Sequence, residues 1–115
     1  MQLFERMQEQ GIQVNKVTLV SVLSACNHNG CVDQGLNIFS SMKERLRIKP
    51  NKEHYTCVVD MLCRSGRMIE AYELVKKMPT AAVESIESIV GAFFNGCMIH
   101  GRRDLAEMIV EGEAT

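Results

Sequence analysis

The chain has 115 residues, of which 46% are hydrophobic, 23% charged and 5% aromatic, with no Trp and a formal net charge of −1. That is enough chain to bury one core without staples, and an ordinary apolar fraction with little net charge excludes a disordered tail. No stretch reaches the roughly 18–20 uninterrupted apolar residues of a membrane span, and 13 Lys+Arg against 14 Asp+Glu exclude binding of nucleic acid by net charge alone.

Two Pro, eight Gly and eight Met suggest helices separated by short glycine turns rather than strands. Residues 1–15 are neither a signal peptide nor an Arg/Ser-rich transit peptide, since Glu5 and Glu9 interrupt them. Any targeting address of a parent protein is therefore expected outside this chain. A first helix is predicted from Asn15 or Lys16, carrying Val17, Leu19, Val20, Leu23 and Cys26, and broken at Asn29–Gly30. The next carries Val32, Leu36, Phe39 and Met42 at three- and four-residue steps. Lys49–Pro50–Asn51 stops the chain, with Asn51 placed as an N-cap for a third helix. That helix carries Tyr55, Val58, Val59 and Leu62 up to a turn at Ser65–Gly66. The fourth carries Met68, Tyr72, Val75 and Met78 and ends at Pro79. The last pair runs through Ile89, Val90, Phe93 and Phe94, turns at His100–Gly101, and continues with Leu105, Met108 and Ile109.

These elements repeat. Gly30, Gly66 and Gly101 fall 36 and then 35 residues apart, and Gly35, Ala71 and Ala106 keep the same spacing. So do Ile38, Leu74 and Ile109, and Phe39, Val75 and Val110, while Phe4 and Met7 precede Phe39 and Met42 by 35. A helical period near 35 means a solenoid of helix pairs. The small residue early in each second helix is expected to let the helices of a pair approach closely.

The tetratricopeptide repeat has 34 residues and carries a Trp, a Leu-Gly pair and a Tyr early in its first helix; this chain has no such cluster. It resembles instead the pentatricopeptide repeat family, in the plant subclass whose repeats vary in length (PLS type). The segments that carry the resemblance are VTLVSVLSACNHNGCVDQGLNIFSSM (17–42), IKPNKEHYTCVVDMLCRSGRMIEAYELVKKMP (48–79) and VGAFFNGCMIHG (90–101). They are similar to the last long repeat, the last short repeat and the first extension (E) motif near the C-terminal end of such proteins. The implied fold class is all-α, a right-handed solenoid of antiparallel helix pairs. The implied organisation is a second-helix remnant at 1–15, a long repeat at 16–51, a short repeat at 52–86 and a truncated extension-like pair at 87–115.

The resemblance implies single-stranded RNA bound along a groove at about one base per repeat, within a mitochondrial or chloroplast factor for RNA processing or C-to-U editing. It also implies contacts with editing-factor proteins through the extension motif. In the family a base is read by the fifth and last residues of a repeat, the second residue packs on the base face, and a basic residue near the end of the first helix meets phosphate. Carried onto this chain, the base-reading positions are Val20 with Asn51, Thr56 with Ile86, and Asn15 from the remnant; the packing positions are Val17 and Glu53, and the phosphate position is Arg64. Thr and Asn suit the role because short side chains can hydrogen-bond an unstacked base edge. Departures weaken the code. Val20 and Ile86 offer no hydrogen bond, Ser85–Ile86 replace the usual Pro and Asp or Asn, and three residues are inserted relative to the common pattern. Val90 stands for the usual Trp, and Val14 for the usual Pro.

Each of these residues also has a plain structural role open to it. Asn15 and Asn51 can act as N-caps, Thr56 can bond back to the preceding turn, Glu53 is a first-turn helix acid and Arg64 a helix-end cation. The basic run Lys43, Arg45, Arg47, Lys49 and Lys52 reads as a solvated face away from the groove. The five cysteines, odd in number and lacking CxxC spacing, read as small core residues in a reducing compartment. His28, His54 and His100 sit at no metal-ligand spacing with them, and no cofactor is expected. No phosphate loop, nucleophile elbow or HxE…PCxxC signature is present, so no enzyme activity is expected of this chain. A protein–protein helical-repeat module and a degenerate fragment without ligand are the alternatives. Two whole repeats are expected to bind RNA weakly on their own, and exposed apolar ends are expected at Leu3–Phe4 and Met108–Ile109.

Overall fold

The computed structural model describes residues 6, 9–11, 14–78 and 87–114, which include six helices. They are α1 (Lys16–Asn29), α2 (Val32–Glu44), α3 (Lys52–Arg64), α4 (Met68–Lys77), α5 (Glu87–Ile99) and α6 (Arg103–Ala114).

The repeated glycine is the device that pairs them. Gly30, Gly66 and Gly101 have φ of 70°, 80° and 66°, the left-handed conformation that a side chain disfavours. One residue further on, the same backbone bond closes each first helix. Cys31 N–H donates to Cys26 C=O (2.9 Å), Arg67 N–H to Leu62 C=O (2.9 Å) and Arg102 N–H to Cys97 C=O (2.8 Å). This is the Schellman arrangement, which satisfies the end of one helix and reverses the chain into the next. The 35-residue period is thus the spacing of three identical C-caps.

Packing then selects the layers. α3 lies against both α1 and α5, so the first helices form one continuous layer. In the second layer α2 rests on α1 and α3, and α4 on α3, α5 and α6. The molecule measures 46 × 29 × 19 Å, an elongated slab two helices thick, as stacking of helix pairs requires. α1 is rich in β-branched residues (Val17, Thr18, Val20, Val22), which are poor helix formers. Its helix is held by burial of Leu19, Leu23 and Cys26 against the neighbouring helices.

Close approach depends on small residues at two places. A Cβ on Gly35 would stand 2.6 Å from Met61 Cε and 3.4 Å from Cys26 Cβ. The missing side chain therefore makes room chiefly for α3 of the next unit, and only secondarily for the partner helix α1. A Cβ on Gly96 would stand 2.6 Å from Cys63 Sγ and 2.8 Å from Cys63 Cβ, where α5 crosses α3. Between the layers Phe39 meets Tyr55 edge-on, with ring centroids 5.3 Å apart.

Of the five cysteines expected in the core, Cys26, Cys63 and Cys97 are buried, as are Met42, Met61, Met68 and Met78, whereas Cys31 and Cys57 are only half-buried at the margin of the core. The expectation for the C-terminal end needs correction. Ile109 is only 6% exposed because the face of α6 that carries it turns inward, whereas Met108 is half exposed beside it. Leu3 and Phe4 lie outside the described residues. None of the helices formed by the described residues is long and apolar enough to cross a membrane.

Candidate nucleic-acid interface

Helix antiparallelism puts the starts of α1, α3 and α5 and the ends of α2, α4 and α6 along one edge of the slab. Most of the sequence-predicted RNA positions fall at this edge, in the caps and first turns of α1 and α3. Ile86 lies outside the described residues.

Asn15 and Asn51 occupy equivalent N-caps in extended backbone. Asn15 Oδ1 accepts from Thr18 N–H (2.9 Å) and from the Thr18 hydroxyl (3.0 Å). Asn51 Oδ1 accepts from Glu53 N–H (3.0 Å) and His54 N–H (3.2 Å). Capping therefore takes the oxygen of both carboxamides and fixes their orientation, since backbone donors face it. Among the described residues neither Nδ2 has a partner, so each asparagine offers N–H donors outward. Thr56 is the complement. Its hydroxyl donates to Lys52 C=O (2.8 Å), the back-bond anticipated for it, which leaves its oxygen lone pairs to accept.

Val17 and Glu53 hold the second position of their units and are both exposed, Val17 to 75%. An isolated valine so exposed costs little and leaves an apolar face free to pack. Val20 is half-buried on the next turn. Arg64 stands at the opposite end of α3, paired with Asp60 at 3.2 Å. Asp60 also accepts from Asn27 Nδ2 (2.8 Å), which ties α3 to α1. A phosphate reaching Arg64 would compete with that carboxylate.

The residue that sequence reading passed over is His54. It is fully buried, accepts from Asn51 N–H through Nδ1 (3.0 Å), and meets Lys16 C=O through Nε2 (3.0 Å). Because Nδ1 must be an acceptor, the proton sits on Nε2 and the ring is neutral. Burial holds its pKa below the ordinary value, against the raising influence of the Lys16 carbonyl and Glu53. The motif Asn51-x-x-His54 has capping-box spacing with His in place of the usual Glu or Gln, and that was the only available signal. His100 makes a similar link, Nε2 to Cys63 C=O (2.6 Å).

At four of the five cysteines burial works against forming the thiolate. Burial pushes Cys63 up to about 11, and burial likewise raises Cys26, Cys57 and Cys97. Among the described residues no three His, Cys, Asp or Glu side chains are grouped to hold a metal.

The arrangement is a stack of near-identical helix pairs with short polar residues at one edge of its first layer. Family models described as PPR repeat match residues 17–45 and 46–79. The chain belongs to the pentatricopeptide repeat family. A chloroplastic pentatricopeptide repeat-containing protein of Arabidopsis thaliana is 45% identical over 109 residues, 95% of this chain and 13% of that protein. A mitochondrial one from the same plant is 40% identical over 111 residues, 96% of this chain and 16% of that protein. The chain thus spans less than a fifth of either of these longer pentatricopeptide repeat proteins.

Proposed function

We propose that this chain is a single-stranded RNA-binding segment of an organellar RNA-processing or C-to-U editing factor, reading bases rather than performing chemistry. Residues 16–51 serve as a long repeat of the PLS type and 52–86 as a short one, while 87–115 form an extension-like pair. The observation that carries the reading is the polarity left over at the caps: Asn15 and Asn51, one repeat apart, keep donors free, and Thr56 keeps an acceptor. Base edges display both kinds of partner. The chloroplastic and mitochondrial relatives support an organellar setting.

Titration with short single-stranded RNAs at low salt tests it. Weak binding that falls on Asn51→Ala and Thr56→Ala is expected, and unchanged affinity in both variants sinks the groove-reading idea.

One observation favours a second reading, a protein-binding module. A largely apolar groove of about 700 Å³ lies between α5 and α6, lined by Phe94, Cys97, Met98, Ala106 and Val110 together with the charged Arg103 and Glu107. Met98 is 83% exposed, whereas Cys63, its counterpart one repeat earlier, is 5% exposed beneath α5. The occupant this face fits is another amphipathic helix laid as α5 lies on α3, whether from a following repeat of a longer chain or from a partner protein. A helical peptide with a small residue at the crossing point would bind there, and Met98→Lys would abolish it.

A further inference from the structure

Among the described residues no other strongly polar side chain is as fully buried as His54, at 0% exposure. A capping box asks only for an acceptor at this position, which Glu or Gln ordinarily supplies. The imidazole gives that acceptor to Asn51 N–H through Nδ1 (3.0 Å) and, from the far side of the same rigid ring, a donor to the Lys16 carbonyl (3.0 Å). The donor is more than the cap needs. Lys16 directly follows Asn15, so the ring stands between the two capping asparagines, bonded to the backbone of one and to the residue beside the other. A slide of α3 along α1 breaks the Lys16 bond, and a ring that swung to follow it would break the Asn51 bond.

The link is particular to this junction. The equivalent third helical residue is Thr18 in α1 and Ile89 in α5. The Thr18 hydroxyl turns back onto its own Asn15 cap, and the buried Ile89 side chain has no polar group to offer. The far ends of α1 and α3 are joined as well, by Asn27 Nδ2 to Asp60 (2.8 Å). The two helices that carry Asn15, Asn51 and Thr56 are thus pinned to each other at both ends. His100 joins α5 to α3 at the glycine-turn end, and among the described residues no side-chain hydrogen bond joins the starts of these two helices.

We propose that His54 is a positioning residue for RNA reading: it fixes the spacing between the outward Nδ2 donors of Asn15 and Asn51, so that neighbouring bases of one strand engage both together. It touches no base itself. The proposal rests on the reading of the chain as an RNA binder and adds how two stations act as one. A flexible single strand loses freedom at each contact, and a second contact held at a preset distance costs less of it than one that must be searched for. The two stations are therefore coupled through the junction that His54 closes.

A double-mutant cycle on the 115-residue chain measures that coupling. Asn15→Ser and Asn51→Ser keep the caps and remove the outward donors. Affinities are read at low salt for the short single-stranded RNA homopolymer that wild type binds most tightly. With His54 in place, the product of the two single losses should exceed the loss in the double variant by about threefold or more, within the usual range for coupled residues. Repeating the cycle in His54→Asn should bring that ratio to about one. Asparagine retains an acceptor where Nδ1 stands, which keeps the cap, and it ends short of Lys16. His54→Glu, the ordinary capping-box residue, repeats the test with a carboxylate that has no donor. The ratio separates positioning from plain stabilisation, because a drop in folded fraction caused at His54 weakens every member of a cycle by the same factor and cancels.

A ratio that survives either substitution in a folded chain, or a ratio of one with His54 present, overturns the positioning role while leaving RNA binding intact. Serine variants that bind as wild type does overturn the base-reading caps, and the positioning role with them. A wild-type chain that binds none of the homopolymers overturns the proposed function as well.

Discussion

His54 Nε2 lies 3.0 Å from the carbonyl oxygen of Lys16, so the first turn of α3 is hydrogen-bonded to the first turn of α1. The same ring accepts the Asn51 N–H at 3.0 Å, and one neutral imidazole thereby caps its own helix and fastens it to the preceding unit. Protonation would place a hydrogen on Nδ1 facing the Asn51 N–H and break the cap.

Stability should consequently fall in mild acid. Burial holds the folded-state pKa of His54 below 6.5, its ordinary value. The unfolded chain therefore takes up a proton at higher pH than the folded chain does. The stabilisation is complete above about pH 6.5 and is lost as pH falls through the window between the two values. Urea unfolding between pH 5 and 8 should show this decline. His54→Gln should remove its His54 component and cost about 1–3 kcal/mol at pH 7.5, because buried partners lose their bonds. An unchanged pH profile in that variant would contradict the assigned role.

Capping and base reading at Asn51 can be separated. Serine caps helices about as well as asparagine, so Asn51→Ser should leave the unfolding free energy within about 0.5 kcal/mol of wild type while removing the outward Nδ2 donors. Asn51→Ala should lose about 1 kcal/mol. Both variants should weaken RNA binding. RNA affinity that follows stability across the pair would show that Asn51 acts only as a cap.

The two close crossings should respond differently to a methyl group. Gly96→Ala drives a Cβ against Cys63 Cβ, an atom that cannot swing aside, and should cost about 1–3 kcal/mol by overpacking. Gly35→Ala meets the flexible end of Met61 and gains helix propensity of up to about 1 kcal/mol, so it should be much milder. Equal losses in denaturant unfolding would argue against this account of the α3–α5 crossing.

Thiol labelling at pH 8 should divide the cysteines. Cys31 and Cys57 are half-buried, whereas Cys26, Cys63 and Cys97 are buried, and Cys63 has a pKa near 11. Mass spectrometry after brief alkylation should find Cys31 and Cys57 modified first, and the other three only after denaturation. Early labelling of Cys63 would show that α5 does not stay closed over α3.

Much of the architecture was legible in the residues alone, because its determinants are local. A glycine with positive φ ends a helix through bonds spanning six residues, and an asparagine caps one through bonds to the next turn. The 35-residue recurrence of Gly30, Gly66 and Gly101 therefore announced three helix pairs, and the segments around them carried the family. Contacts between units were not legible in that way. Nothing in the sequence tells that Gly35 serves Met61 of the next unit more than its own partner helix, or that Ile109 turns inward while Met108 does not. The bond from His54 to a carbonyl 38 residues earlier exists only once α3 is stacked on α1. The charge pattern divides in the same way. The chain order places Lys16 and Lys52 at helix starts, but only stacking brings Asp33 to Arg67 across one edge and leaves the lysines of the other edge unpaired. Helix and turn formation depend on neighbours within a few residues, whereas partners a full repeat apart are set by how one pair settles on the next.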